Sequence, residues 1–163
     1  MKTKNIPFIF YVKVMSPVVK FLTNKLSPLS ETEKKVSSDM IKKLLKQKVT
    51  PSILSGWYYN NKIKYFPEKI DNIKSPHKFL ADGGGDCDDF VEFSHYILTR
   101  KGYVCNRLYL KSEDNKNNHV VLVARKKGKI SIMDNQACFG GIKSMDEACE
   151  YFASDGYTEH ILV

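Results

Sequence analysis

A cysteine at the start of a helix, a histidine opening a strand and an aspartate closing the next strand are the residues of this 163-residue chain best spaced to do chemistry together. The run Gly83-Gly84-Gly85-Asp86-Cys87-Asp88-Asp89-Phe90 sets Cys87 where a glycine turn feeds an amphipathic segment. A thiol attacks only as its thiolate, and an ordinary thiol of pKa about 8.5 is only a few per cent ionised at neutral pH, so something must activate it. A helix N-terminus contributes partial positive charge and unpaired N–H groups, while glycines let the chain turn sharply and let a substrate backbone approach. The helix is predicted from Phe90, Val91, Phe93, Ser94, Ile97 and Leu98 on one face, acids in the first turn, and Gly102 as the stop after Arg100 and Lys101.

A base must come from His77, His95, His119 or His160. His95 lies eight residues beyond Cys87 on the same helix, about 12 Å along the axis and off its face, too far for a hydrogen bond. His77 follows Ser75-Pro76 at a short helix start, and His160 falls in a terminal strand over residues 158–163; neither has an acid at suggestive spacing. His119 ends the polar loop 113–118 and opens the strand Val120-Val121-Leu122-Val123-Ala124, so a sheet would hold it at the edge of a cleft. Residues 125–129 form the turn into a return strand, Ile130 to Met133. Centring that turn on Lys127-Gly128 pairs Val121 with Asp134 and His119 with Gln136, which places Asp134 diagonally beside His119. A carboxylate there could accept the imidazole N–H, fix its tautomer and stabilise the imidazolium formed when the thiol gives up its proton.

The motif Gly85-Asp86-Cys87-Asp88-Asp89-Phe90, then His119-Val120-Val121-Leu122-Val123, then Ile132-Met133-Asp134-Asn135 resembles the transglutaminase-like superfamily, in particular its bacterial transglutaminase-like cysteine peptidase branch. Asn61 to Tyr65 and Ser75 to Leu80 resemble the lead-in to the cysteine in that branch, so the likeness covers residues 57–135, about half the chain. The resemblance implies a papain-like core and acyl chemistry, with Cys87 as nucleophile, His119 as general base and then acid, and Asp134 as orienter. It does not choose among peptidase, amidase and acyltransferase. One oxyanion donor would be the Cys87 N–H, a type of contact whose removal costs about 3 kcal/mol. The second donor is open: Trp57, Tyr58, Tyr59, Asn61 and Gln136 are all candidates, with Gln136 and Trp57 carried forward.

Asp86, Asp88 and Asp89 surround the thiol with negative charge, which opposes thiolate formation unless they point away or cap helix N–H groups. Their spacing matches no Asp-x-Asp-x-Asp-Gly calcium loop, so they read as N-terminal helix acids, with no metal and no cofactor expected. A lone cysteine at a helix start is more often inert than reactive, and a histidine before an apolar strand is usually a satisfied polar residue; the combination and order of the three carry the reading. The glycine run lacks the Lys-Ser/Thr ending of a P-loop and the spacing of a dinucleotide fold. Cys105, Cys138 and Cys149 form no zinc pattern, and four cysteines are sparse for a disulfide scaffold, which points to a reducing compartment.

With 42% hydrophobic residues and nine Phe and nine Tyr, the chain can bury a real core. Its net charge of +8 lies wholly in residues 1–50, which carry eleven lysines against three acids; residues 51–163 carry 15 basic and 15 acidic residues. The chemical part is therefore neutral, and no specific nucleic-acid partner is expected. Ser30-Glu31-Thr32-Glu33 reads as a capping box opening a helix to about Lys48, stopped by Thr50-Pro51. Val36, Met40, Ile41, Leu44 and Leu45 share its core face, and the lysines form a solvated exterior in preference to a membrane-binding one. Residues 1–26 superficially resemble a secretory signal, but Lys13 interrupts the apolar run, no A-x-A site follows, and the run is too short to span a membrane. With Pro7 and Pro17 they read as an extended arm whose Phe8, Phe10 and Phe21 dock on the core or on a partner in an assembly.

A strand over 103–110, the hairpin, a helix opened by Ser144-Met145-Asp146-Glu147 and the closing strand complete an α+β fold, with the Cys87 helix packed on an antiparallel sheet. Residues 1–50 form a basic arm and helix, and 51–163 the chemical domain. The expected activity is a cysteine-dependent hydrolase, peptidase or amidase, acting on a peptide or protein substrate through a thioester. The alternatives are acyl transfer and a non-catalytic component of a phage or bacterial assembly. Twenty-three lysines against three arginines suggest an AT-rich bacterial or phage source, and the expected location is cytoplasmic or virion-associated.

Overall fold

The computed structural model describes residues 28–67, 72–113 and 118–163. The expected arm lies outside the described residues. The first helix, α1 (Glu31–Lys46), opens on the expected capping box: the Ser30 hydroxyl accepts from the Glu33 N–H at 3.2 Å, and the Glu33 carboxylate accepts from the Ser30 N–H at 2.8 Å. Ile41 and Leu44 are buried and Met40 and Leu45 half-buried, as the periodicity predicts. Val36 departs from it at 54% exposed. Ser37 takes the buried position instead, at no polar cost, because its hydroxyl donates to the Glu33 carbonyl at 2.7 Å.

Thr50 and Pro51 not only stop α1 but start α2 (Pro51–Asn60), with the Thr50 hydroxyl accepting from Ile53 N–H at 3.2 Å and Pro51 in the first turn. Then come β1 (Lys64–Tyr65), α3 (Pro76–Asp82) capped by Ser75, β2 (Gly84–Gly85), α4 (Cys87–Arg100), β3 (Val104–Ser112), β4 (His119–Lys126), β5 (Lys129–Asp134), β6 (Ala137–Ile142), α5 (Met145–Ser154) and β7 (Tyr157–Leu162). Strands β3 to β7 form an antiparallel sheet in the order β6-β5-β4-β3-β7, while β1 and β2 pair in parallel beside α4. Strand β6 was not expected: Gly140 and Gly141 dilute its strand signal, and it forms by pairing with β5 and packing Phe139 against Tyr151 of α5.

The fold is α+β with the helix carrying Cys87 on the sheet, the layout the resemblance implies. Side chains alternate across a strand. Val120, Leu122 and Ala124 of β4 therefore share one core with Phe90, Phe93 and Ile97 of α4 and with Ile41 and Leu44 of α1. Val121 and Val123 face the other way and pack with Leu108, Leu110 and Ile132 under Ala148 and Phe152 of α5. Both faces of β4 are covered, which explains its unbroken apolar run. Among the described residues no helix is long and apolar enough to cross a membrane.

Candidate active site

The β4–β5 hairpin turns on Lys127 and Gly128, both left-handed at φ 51° and 72°, the conformation of a two-residue turn that matches strand twist. Pairing runs from Lys126 with Lys129 to Leu122 with Met133, so the register is the one inferred from the sequence. It brings His119 Nε2 to 2.8 Å from Asp134 Oδ1, with the two side chains 16% and 26% exposed. The Cys87 thiol lies near enough to the imidazole to help raise its pKa. With Nε2 on Asp134, Nδ1 is the other imidazole nitrogen. Burial is the largest single influence on His119 and opposes its charge. The hydrogen bonds and charges of Asp134 and Cys87 together outweigh it and push its pKa up to about 9.

Two tyrosines that the sequence did not single out stand beside this group. The Tyr157 ring is stacked along His119 with centroids 6.2 Å apart at 28°. Burial pushes its hydroxyl pKa up, and the charges of Asp134 and Cys87 add to this. Tyr65 on β1 is raised by burial and then by Cys87 and Asp86. Tyr65 closes the stretch 61–65 of the lead-in resemblance, whereas Tyr157 carries no motif and is brought in by β7.

The glycine run serves a packing role that its sequence reading did not include. A Cβ on Gly84, at φ 136°, would stand 1.9 Å from the Lys64 carbonyl oxygen, and one on Gly85 would stand 2.0 Å from Asp89 Oδ2. The Lys64 N–H donates to the Gly83 carbonyl at 2.9 Å and the Phe66 N–H to the Gly85 carbonyl at 3.0 Å, so this strand is pressed between β1 and the first turn of α4.

The acids beside Cys87 also differ from the helix-capping expectation. Asp86 occupies the N-cap position of α4 without a side-chain capping bond. Asp89 is completely buried: Oδ1 accepts from the Lys74 N–H at 2.6 Å, and Oδ2 lies 3.1 Å from the Lys74 ammonium, itself 5% exposed. Burial pushes Asp89 up to about 6 against the lowering effect of Lys74. One signal was available, since Asp89, Phe93 and Ile97 repeat every four residues on the buried face. Oxygens of Asp86, Asp88 and Asp89 lie within 4.8 Å of one another, the arrangement among the described residues that could hold a cation.

The Gln136 side-chain amide donates to the Ile63 carbonyl, and the Gln136 backbone carbonyl accepts from the Ser55 hydroxyl of α2 at 2.5 Å. The Trp57 ring stacks on Phe93 with centroids 5.8 Å apart at 13°. His95 is half-buried on α4 with its pKa lowered chiefly by burial, and His160 lies in β7. Cys105, Cys138 and Cys149 are free and half-buried, and burial pushes Cys105 up to about 11 and the other two upward.

No protein-family model and no curated protein matches the chain. Among solved structures it is similar to Legionella pneumophila LapG in its calcium-bound form at 21% identity, covering 80% of this chain and 76% of that one with a TM-score of 0.49. A second LapG structure shows 21% identity over 79% and 76% of the two chains with a TM-score of 0.48. The EGTA-treated form shows the same identity and TM-score over 80% and 74%.

Proposed function

We propose that this protein is a cysteine-dependent hydrolase, a peptidase or amidase, in which Cys87, His119 and Asp134 act as nucleophile, base and orienter. The observation that carries this reading is the imidazole of His119, held through Nε2 by Asp134 at 2.8 Å and near enough to Cys87 for the thiol to raise its pKa. Cys87 gives its proton to His119 Nδ1, the imidazolium being held by Asp134, and the resulting thiolate attacks the carbonyl carbon of an amide. The resulting oxyanion takes the Cys87 N–H at the start of α4, where the helix dipole also favours negative charge. As the C–N bond breaks, His119 returns the proton to the leaving amine and a thioester remains. Water then attacks the thioester, His119 removes its proton, and the C–S bond breaks to release the acid and the thiol.

The second oxyanion donor is assigned to Gln136, since one of its amide hydrogens is engaged by Ile63, which fixes the group and leaves the second hydrogen. Residues 1–50 are read as an arm and helix that hold a protein partner, and residues 51–163 as the hydrolase. The test is alkylation of each cysteine against pH, read by mass spectrometry. Selective labelling of Cys87 below pH 7 that slows in His119→Ala and Asp134→Ala supports the reading; a Cys87 that labels like Cys149 in all three proteins overturns it. Products of a peptide library incubated with and without an added amine then separate hydrolysis from acyl transfer.

A further inference from the structure

We propose that Lys74 is a positioning residue for Cys87, its buried ammonium bracing the glycine strand against the first turn of α4. The inference rests on the nucleophile reading of Cys87. The Lys74 Nζ lies 3.2 Å from the Gly84 carbonyl oxygen, 3.1 Å from Asp89 Oδ2 and 3.8 Å from Asp82 Oδ2, and 4.8 Å from the Phe66 ring centre. Its backbone N–H holds the other oxygen of Asp89 at 2.6 Å. Gly84 and Asp89 stand three residues before and two residues after Cys87, so this one ammonium ties together both sides of the segment that presents the thiol. Gly85 lies directly on the Asp89 carboxylate, with no room for a Cβ, so a shift of that carboxylate moves the backbone leading into Cys87.

Stability is a poor reason for such a pair. Taking both charges out of water costs more than their attraction commonly returns, and apolar replacements of similar volume are often as stable or more so. Fixing one arrangement of neighbouring groups is the service a buried pair can render, and here the neighbours are the turn, the helix N-terminus and its N–H groups.

The test compares the native protein, Lys74→Met, and Lys74→Met combined with Asp89→Asn, in which no buried charge is left unpaired and the acceptor for the residue 74 N–H is kept. Each is measured for melting temperature, for hydrogen–deuterium exchange of the peptide spanning 83–87, and for the alkylation rate of Cys87 at pH 7. The expected result is that the double variant melts at or above the native temperature, yet exchanges at 83–87 at least tenfold faster and alkylates at Cys87 at least tenfold slower. Native exchange and alkylation in the double variant would overturn the brace and leave Lys74 as a charge partner only. Faster exchange at 83–87, in a protein whose native Cys87 already labels like an ordinary thiol, would uphold the brace and sink the nucleophile reading instead.

Discussion

The two halves of the site are held in place by different means. His119 and Asp134 stand at one end of a hairpin whose register follows from a two-residue turn, so residues 15 apart in sequence meet because the strands between them pair in order. Cys87 is presented by a short segment pressed between β1, some 20 residues upstream, and a fully buried Lys74–Asp89 pair. The base end is half-open and locally encoded; the thiol end is closed and assembled from afar. A local device survives changes elsewhere in the molecule, whereas an assembled one should fail whenever any of its distant parts moves.

The largest effect should come from the base end. On the proposed mechanism His119→Ala removes the thiol's proton acceptor, and it should slow Cys87 alkylation at pH 6 to 7 by about a hundredfold or more. Asp134→Asn keeps the shape and should lose nearly as much, because the orienting charge is gone. Equal rates in native protein and Asp134→Asn would break the assignment of the hairpin to the site.

At the thiol end, Gly84→Ala forces a Cβ at φ 136° against the Lys64 carbonyl oxygen, and Gly85→Ala places one on the Asp89 carboxylate. Each should cost about 3 kcal/mol in urea unfolding, from strain and overpacking together. Recovery of native stability by either alanine variant would show that the segment is not tightly pressed and would erase the contrast between the two ends.

A smaller effect follows from the charge on His119. Its pKa rises from 6.5 unfolded to about 9 folded, so the folded state binds the proton more tightly. That contribution is fully present below pH 6.5 and is lost as pH rises through 9; it is on the order of 2 kcal/mol after allowance for partial exposure. Unfolding midpoints should fall across this window in the native protein and stay flatter in Asp134→Asn. A native midpoint that rises across the same window would contradict the sign.

The smallest change sharpens the comparison from the other side. Lys127 adopts φ 51°, which asparagine tolerates better, so Lys127→Asn creates an Asn-Gly turn and should stabilise the protein by about 0.5 kcal/mol. If the hairpin is a self-contained device, Cys87 alkylation should not change. A shift in that rate would mean that turn geometry is transmitted to the thiol.

Much of the hairpin half was legible beforehand. The Lys127-Gly128 turn set the register, and the register set the neighbours of His119, because strand pairing is counted residue by residue from the turn. The start of α1 was equally readable from Ser30 and Glu33, as was the buried face of α4. Val36 and β6 were misjudged or missed because their burial or pairing depends on what lies opposite, which periodicity does not state.

The amino-acid sequence by itself determined the capped helix opened by Ser30, the buried face of α4, the turn and pairing of β4 with β5, and the order Cys87, His119, Asp134 along the chain. These are short-range matters of dihedral preference, capping hydrogen bonds and side-chain period. Only the tertiary structure decided that Asp89 is buried on Lys74, that Gly84 and Gly85 are required by close packing, and that Tyr157 stacks along His119. Each of those facts depends on a contact between segments brought together by the core, and burial, not sequence spacing, sets both its geometry and its electrostatics.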